Sequence, residues 1–442
     1  MKSYMRVRGK QGFKCLVVGG LALLLAAMIL PGCAPSAPPQ GTTPAEVEQV
    51  WVIPIITDIT GPYATNVTGY YAAMDDWVAV VNDQGGFNGI KVRIDWLDTQ
   101  GSLDRSITYF NRIISQKKKP PLMIGWVSMV HEAMKSRFEE EEIPLITGAM
   151  SAPQFAPPGW IFGECPDYAS VGGGVVKWFV EDYWPKWKPD EAAKRAPRVG
   201  AITWDNAFGR GPMTDECIAY YTKTLGVDWV GAEFVPAAPI DVSTQVAGMV
   251  KRNPDFIIGD YHSGPFAAVL KESVKQGLKT LNNENVLWNN VVTGADYNLP
   301  LLCGPEEYFG VTSWTMAEGW DVDTPVAHEM AELFKRNNRP VSMRLGGYWN
   351  GLILYAISEG AMSIAMETKA FEEVTGRDIY NALCSGKQFD MRGMTPDFGY
   401  SSTKRTPNKT IIQAFTKEGK LLPITDWLTC PDLLPGGKDV PK

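Results

Sequence analysis

Short apolar runs alternate with segments of helical spacing along most of the chain. The run at 51–57 has the length of a strand and ends in the turn-forming segment 58–62, Asp-Ile-Thr-Gly-Pro. Apolar residues then recur at helical spacing until the pair Gly85-Gly86 ends the pattern; they are Tyr70, Met74, Trp77, Val78 and Val81. This alternation predicts an α/β fold, with parallel strands and helices on both faces of the sheet.

The same pattern continues and restarts once. It predicts first-half strands at 91–97, 122–125 and 143–147, a helix around Phe110, and a helix with Ser128 as its N-cap. Residues 184–197, with three prolines, are predicted to form a surface excursion. The strands predicted beyond it are 199–204, 228–234, 256–259 and 286–288, and the helices are 212–225, 244–251 and one through Leu270. Two α/β units in tandem follow, with ligand sites expected in the turns 58–63, 126–129, 148–151, 205–208 and 260–264.

The N-terminal segment has the pattern of an export signal. Five Lys or Arg residues and no acidic residue precede an apolar run at 15–30, which ends in Leu30-Pro31-Gly32-Cys33. This ending resembles bacterial lipoprotein processing, which implies a signal peptide at 1–33 and acylation of Cys33. Residues 34–48 are rich in Pro, Ala, Ser and Thr and are predicted to be a flexible linker. A plain secretory signal and an uncleaved anchor stay open as alternatives.

Charge and cysteine content exclude several kinds of partner. The net charge is −7, and removal of a segment with five basic residues and no acids would leave −12, which argues against nucleic acid. The sequence predicts no metal site, because it contains only three His residues in 442 and its Cys spacings include no CxxC pair. Cys384 and Cys430 are candidates for a disulfide, and the alternative is that all five cysteines after Cys33 are small buried hydrophobes.

Catalytic motifs are absent from the sequence. It contains no G-x-S-x-G and no P-loop, and neither His131-Glu132 nor His328-Glu329 continues to H-E-x-x-H. Gly172-Gly173-Gly174 lacks the G-x-G-x-x-G frame and is predicted to lie in the N-terminal turn of a helix. We therefore expect neither an enzyme nor a bound cofactor.

Several ordered motifs resemble the leucine/isoleucine/valine-binding protein family over residues 50–425. They are Thr60-Gly61-Pro62 with Gly69, the segment 81–90, Asp98, Ile124-Gly125, Ile143-Pro144-Leu145-Ile146, Phe208-Gly209-Arg210-Gly211, the segment 254–258, and Gly347-Tyr348-Trp349. Members of this family are the substrate-binding components of ABC importers for branched-chain amino acids, amides and aromatic acids. The resemblance implies a small-molecule ligand, ABC permease subunits as partners, and a membrane contact through the lipid anchor.

The resemblance also implies the type I architecture of two doubly wound parallel-sheet lobes joined by a three-strand hinge. The ligand would lie between the lobes, which close on it by bending at the hinge. The implied crossings lie near Pro166, Val311 and Arg392. The corresponding domains are lobe 1 at 49–165 plus 312–391, lobe 2 at 166–311 plus 392–430, and a C-terminal tail at 431–442.

Matching positions in the first lobe supply candidate ligand contacts. Trp126, Ser128, Ala149 and Ser151 lie where the family binds the ligand carboxylate with hydroxyls and backbone N–H groups. Ordinary helix capping is the alternative for the two serines. Tyr63, and Tyr348 or Trp349, are candidate aromatic walls, with a place in the core as the alternative.

The second lobe departs from the amino-acid binders. Phe208 replaces a family Tyr, and His262 and Ser263 occupy the turn from which a Tyr reaches the ligand. Asn290, with its neighbours Asn289 and Val291, lies where an acidic residue holds the α-ammonium group. Burial of an ammonium without a carboxylate costs several kcal/mol. Asp205 or Asp260 could hold the ammonium group, but each is also a candidate helix cap. If neither holds it, the ligand lacks a free α-amino group. The sequence leaves open whether the protein serves an importer or a sensing receptor.

Overall fold

The computed structural model describes residues 49–236, 238–281, 284–291, 293–317, 319–344 and 346–442. The predicted signal peptide, Cys33 and the whole of the predicted linker at 34–48 lie outside the described residues. Among the described residues, no helix combines the length and the apolar character needed to cross a bilayer.

The first sheet consists of five parallel strands in the order β2-β1-β3-β4-β5. These are β1 Val50–Thr57, β2 Lys91–Asp98, β3 Met123–Gly125, β4 Leu145–Thr147 and β5 Ile161–Gly163. In β1 the alternate residues Trp51, Ile53 and Ile55 are buried, and Ile56 is buried as well, so both faces of this central strand are covered. We call this sheet, with the helices on it, lobe 1.

The second sheet is mixed rather than parallel throughout. Its order is β12-β11-β10-β9-β8-β6-β7, and β13 pairs with β11. Its strands are β6 Arg198–Trp204, β7 Asp228–Val235, β8 Phe256–Gly259, β9 Leu287–Val291, β10 Thr312–Thr315, β11 Lys409–Phe415, β12 Leu421–Pro423 and β13 Leu428–Thr429. The strands β6 to β10 are parallel, whereas β11 runs antiparallel to β10, β12 and β13. We call this sheet, with its helices, lobe 2.

Helices cover both sheets and connect successive strands. The α-helices of the described residues are α1 Ala64–Asp83, α2 Leu103–Ile114, α3 Ser128–Glu140, α4 Ala152–Phe155, α5 Tyr168–Trp178, α6 Trp184–Trp187, α7 Pro189–Ala192, α8 Asp215–Ala219, α9 Ser243–Arg252, α10 Ser263–Lys275, α11 Leu299–Leu302, α12 Pro305–Tyr308, α13 Pro325–Arg336, α14 Gly346–Met366 and α15 Gly376–Leu383. In lobe 1, α14 packs along α1 and also contacts β4 and α15.

The predicted strands and helices of both units are present. The predicted strand 256–259 coincides with β8, and the helix predicted at 212–225 is divided into a 3₁₀ turn, α8 and a π-helical turn. The excursion at 184–197 forms the short helices α6 and α7, and Trp184 is buried in the core rather than exposed. Gly172-Gly173-Gly174 lies within α5, beyond its first turn.

The chain passes between the two sheets three times, but two of the predicted crossing positions are wrong. The first connection runs from Gly163 to Arg198 and includes Pro166. The second follows Thr315, because β10 pairs with β9 and β11 in the second sheet; the boundary predicted at 311/312 is too early. The third precedes Lys409, since the Arg405 carbonyl still accepts a hydrogen bond from Gly163 N at 2.8 Å; the boundary predicted at 391/392 is too early as well.

The cysteines form no disulfide in the described part of the chain. Cys165, Cys217, Cys303, Cys384 and Cys430 are all free thiols, so the candidate bridge between Cys384 and Cys430 is wrong. Cys430 instead packs its sulfur against Gly174 of α5. The alternative interpretation requires all five cysteines to be buried. Three of them are buried, whereas Cys303 and Cys384 are half-buried.

Candidate functional site

A cavity of about 330 Å³ lies between the two lobes, at the carboxyl ends of the strands. All five turns singled out in the sequence contribute to its wall, and the turn 58–63 contributes Tyr63. The residues that line it are Tyr63, Val67, Tyr70, Trp126, Val127, Ser128, Met129, Gly148, Ala149, Cys165, Tyr168, Trp204, Asn206, Ala207, Phe208, His262, Val291, Thr293, Trp314, Met316 and Asn350. Its size is within the range of small-molecule sites.

Aromatic rings from both lobes form much of the wall. In lobe 1 the rings of Tyr70 and Trp126 pack on one another. In lobe 2 the His262 ring lies 4.6 Å from the Trp204 ring and 6.1 Å from the Phe208 ring, measured between centroids. Desolvation lowers the pKa of His262 to about 3, so this imidazole is neutral near pH 7.

The N-terminus of α3 presents backbone donors at the cavity. The N-cap is Val127, with an extended backbone, and no side chain caps the helix. Ser128 is therefore the first helical residue, and the prediction that it caps α3 is wrong. Its N–H and that of Met129 donate to no acceptor among the described residues, as expected for the first turn of a helix. Unpaired N–H groups at the positive end of a helix favour an anion.

Among the described residues, none that lines the cavity is an Asp, Glu, Lys or Arg. Asp205 is half exposed and forms an ion pair with Arg210, with 2.6 Å between Oδ1 and Nη2, instead of capping a helix. Asp260 lies in the core behind the wall, and it does not cap α10, whose N-cap is His262. Desolvation raises the pKa of Asp260 to about 8, although a hydrogen bond from the Trp314 side chain opposes the shift. Neither carboxylate is presented to a ligand in this arrangement.

A buried polar cluster adjoins the lobe 1 wall. Asn350, on α14, donates from Nδ2 to Glu164 Oε1 at 2.9 Å and to Tyr70 Oη at 3.3 Å. Glu164 follows β5 and is 1% exposed. Glu164 Oε2 and Asn350 Oδ1 are buried without a hydrogen-bond partner among the described residues. Desolvation raises the pKa of Glu164 well above its usual range, and a hydrogen bond from Asn350 opposes the shift.

Six of the ten predicted contact residues line the cavity. They are Tyr63, Trp126, Ser128, Ala149, Phe208 and His262. The backbone N–H of Ala149 already donates to Thr147 Oγ1 at 2.9 Å, so this N–H group has a hydrogen-bond acceptor within the turn that follows β4. The structure thus brings together residues from five turns that are up to 199 positions apart.

Two predicted serines do not line the cavity. Ser151 is buried beside α3, where its hydroxyl donates to Glu132 and accepts from Gln154 Nε2 at 2.9 Å. It precedes α4 but its side chain does not cap that helix. Ser263 is the first residue of α10, and its buried hydroxyl has no hydrogen-bond partner among the described residues.

Two further predicted residues also lie away from the wall. Asn290 is buried in β9, where its Oδ1 accepts from the backbone N–H groups of Tyr261 and Val291. Tyr348 is buried between α14 and α1 and donates to Asp76 Oδ2 at 2.8 Å. Its alternative, Trp349, packs against Trp320, so both aromatic residues belong to the core.

Sequence reasoning missed several wall residues. The most prominent are Tyr70, Tyr168, Trp204, Trp314 and Asn350. Tyr70 was identified only as part of the apolar face of α1, and Trp204 only as the end of a strand. A signal existed for Trp204, because the last residue of a parallel strand faces the ligand edge of the sheet. The sequence offers no comparable signal for Asn350, which lies within a long helix.

Comparisons with known proteins agree with this architecture. Residues 51–419 match a family model described as periplasmic binding protein. Over 232 residues the chain is 23% identical to the Leu/Ile/Val-binding protein of Citrobacter freundii, a match that covers 52% of this chain and 59% of that protein. The chain thus spans less than two thirds of the length of the curated relatives it matches.

Solved structures share the fold at low identity. A branched-chain amino acid ABC transporter protein from Thermus thermophilus, with bound valine, has a TM-score of 0.75 at 19% identity, over 88% of this chain and 98% of that one. A solute-binding protein of an ABC transporter from R. palustris, in complex with 4-hydroxybenzoate, has a TM-score of 0.69 at 15% identity. This match also covers 88% of this chain and 98% of that one.

Proposed function

We propose that this chain, which belongs to the periplasmic binding protein family, is the exported solute-binding protein of an ABC importer. The observation that carries the proposal is the cavity whose wall comes from both lobes, with three chain connections between them. A ligand in such a site is enclosed when the lobes approach and is released when they separate. The protein acts without chemistry on its ligand and delivers it to permease subunits.

The solute we propose is an organic carboxylate with an apolar or aromatic body and no ammonium group. The unpaired N–H groups of Ser128 and Met129 suit a carboxylate, and the rings of Trp126, Trp204 and Phe208 suit an apolar body. An ammonium group would need a carboxylate in the wall, and the described residues that line the cavity include none. Among similar proteins, the binder of 4-hydroxybenzoate fits this description better than the binder of valine.

Matched ligand pairs test this proposal. Leucine is compared with 4-methylpentanoate, and phenylalanine with 3-phenylpropanoate, so that each pair differs only in the α-amino group. We expect at least one of the two acids, but neither amino acid, to raise the melting temperature, since a ligand specific for the folded state stabilises it. A shift produced only by leucine or phenylalanine would contradict the proposed solute. Recovery of a chemically altered acid after incubation would contradict a binding role.

Membrane attachment through Cys33 completes the proposal. It is supported by the basic and apolar segments that precede Leu30-Pro31-Gly32-Cys33. The full chain should then separate with bacterial membranes, whereas a Cys33→Ser variant should not; equal partitioning of the two would contradict the lipid anchor.

A further inference from the structure

Glu164 lies directly beneath the lobe 1 wall of the cavity without being part of it. The backbone approaches it closely at Gly148, where a Cβ would lie 2.7 Å from Glu164 Oε1 and 2.2 Å from the Trp126 ring. Gly148 therefore allows the carboxyl group and the Trp126 ring to pack side by side. Glu164 is also the first residue after β5, at the start of the first connection between the lobes.

The carboxyl group of Glu164 fixes the orientation of the Asn350 amide. The Asn350 Nδ2 group donates to Glu164 Oε1 at 2.9 Å and to Tyr70 Oη at 3.3 Å, so both of its hydrogens have acceptors. The amide oxygen Oδ1 is left as an acceptor without a partner and without contact with solvent. A buried acceptor that loses its hydrogen bond costs about 1–3 kcal/mol.

Burial of the Glu164 carboxyl group raises its pKa well above the usual range. None of the described residues that line the cavity is a Lys or Arg that could pair with this group. In this arrangement its Oε1 atom accepts a hydrogen bond from Asn350 Nδ2 at 2.9 Å. A neutral donor on a ligand can satisfy Asn350 Oδ1 without the cost of burying an ammonium group.

We propose that Glu164, Asn350 and Tyr70 form a hydrogen-bonding subsite that selects carboxylates carrying a hydroxyl on their apolar body. The inference rests on the proposed function and extends it from apolar carboxylates to hydroxylated ones, in particular phenolic acids. Asn350 contacts the ligand hydroxyl, and Glu164 is a positioning residue that acts through Asn350. A site built around such a group discriminates strongly against the analogue that lacks it, because the buried acceptor then stays unpaired.

Calorimetric titration of matched acids tests the subsite. The probes are benzoate and 3-phenylpropanoate, each compared with its 3-hydroxy and 4-hydroxy phenyl analogues. We expect a hydroxylated member to bind at least tenfold more tightly than its parent, the ratio that follows from one buried hydrogen bond. Equal affinities would overturn the subsite while leaving the proposed function intact. Failure of every acid to bind would overturn both.

Three variants separate the roles within the cluster. Asn350→Leu should lose the preference for the hydroxylated acid over its parent, and Glu164→Leu should lose it as well by freeing the Asn350 amide. Glu164→Gln preserves an acceptor oxygen of the same shape and should keep the preference. Loss of all binding in Glu164→Gln, together with binding of tyramine by the wild type, would overturn the subsite in favour of Glu164 as a counter-ion.

Discussion

Ser128 illustrates how a residue with a structural role also offers the backbone N–H group for which we propose a binding role. It is the first residue of α3 and follows Val127, whose φ of −123° and ψ of 107° are extended. Proline is favoured at the first helical position after an extended residue, where the N–H has no intrahelical partner. Replacement of Ser128 by proline would therefore remove this backbone N–H group without removing a hydrogen bond of the helix.

We expect Ser128→Pro to weaken binding of 3-phenylpropanoate about tenfold relative to Ser128→Ala. Both variants lack the hydroxyl, so the difference reports the backbone N–H, whose hydrogen bond to a carboxylate contributes about 1.5–3 kcal/mol. Calorimetric titration measures the two affinities.

The melting temperatures of the two variants without ligand are the control and should agree within a few degrees. Equal affinity of the two variants for the acid would show that α3 does not bind the carboxylate.

At the scale of elements, α5, which lies in the first connection between the two sheets, packs unusually closely against other segments. Its three glycines face other segments directly: a Cβ on Gly172 would lie 2.6 Å from Pro212 Cβ, and one on Gly174 would lie 3.0 Å from the sulfur of Cys430. The C-terminal segment packs on the same helix, where Leu433 N donates to Ser170 Oγ at 3.2 Å. The predicted C-terminal tail at 431–442 thus begins as part of the core, and Leu433 is fully buried.

We predict that Gly173→Ala destabilises the protein by about 1–2 kcal/mol. A Cβ there would lie 2.5 Å from Leu433 Cδ1 and 2.6 Å from Pro431 Cγ. Overpacking costs about 1–3 kcal/mol, which exceeds the gain of up to about 1 kcal/mol from replacing a helical glycine. Urea unfolding measures the free energy of unfolding.

The matched control is Gly264→Ala in α10, where no atom lies within 4 Å of the added methyl. This variant should be neutral or slightly more stable. In a Leu433→Ala background, Gly173→Ala should cost less, because the strongest contact is removed. A stabilising Gly173→Ala would show that the C-terminal segment moves aside without cost.

At the scale of the whole molecule, the proposed function depends on the arrangement of the two sheets around one cavity. One hydrophobic cluster includes buried residues of both sheets, such as Ile53 of β1 and Phe256 of β8, and the cavity lies where the carboxyl ends of the two sheets face each other. Ligand contacts from both sides favour the state in which the lobes are close, by the difference in affinity between the two states.

We expect 3-phenylpropanoate, if it binds, to reduce the radius of gyration measured by small-angle X-ray scattering. The value should move toward about 21 Å, the scaling estimate for a compact chain of roughly 390 residues. Ser128→Pro at the same ligand concentration is the control and should show a smaller change. An unchanged radius at saturation would contradict hinge closure.

Local periodicity made much of the fold predictable. Strands such as β1 and β8 and helices such as α1 have patterns that arise from neighbouring residues, so single segments of sequence contain them. The carboxyl ends of parallel strands are also a general location for ligands, and for this reason Trp126, Phe208 and His262 could be placed near the cavity in advance. The resemblance in motif order added the expectation of two lobes and three connections.

The residues and boundaries that were predicted wrongly are those whose positions depend on contacts between distant parts of the chain. Tyr348 and Asn350 are two positions apart on α14, and the rotation of that helix against α1 directs Tyr348 to Asp76, 272 residues away, and Asn350 to the cavity. In the same way, β10 and β11 pair although about 100 residues separate them, and this pairing sets two of the lobe boundaries.

The sequence by itself determined the elements, their tandem order and the edge of each sheet at which a ligand binds, because these depend on the spacing of neighbouring residues. Only the tertiary structure decided which side chains meet at that edge. A helix turns about 100° per residue, and the face that points to the cavity depends on packing between segments far apart in the chain.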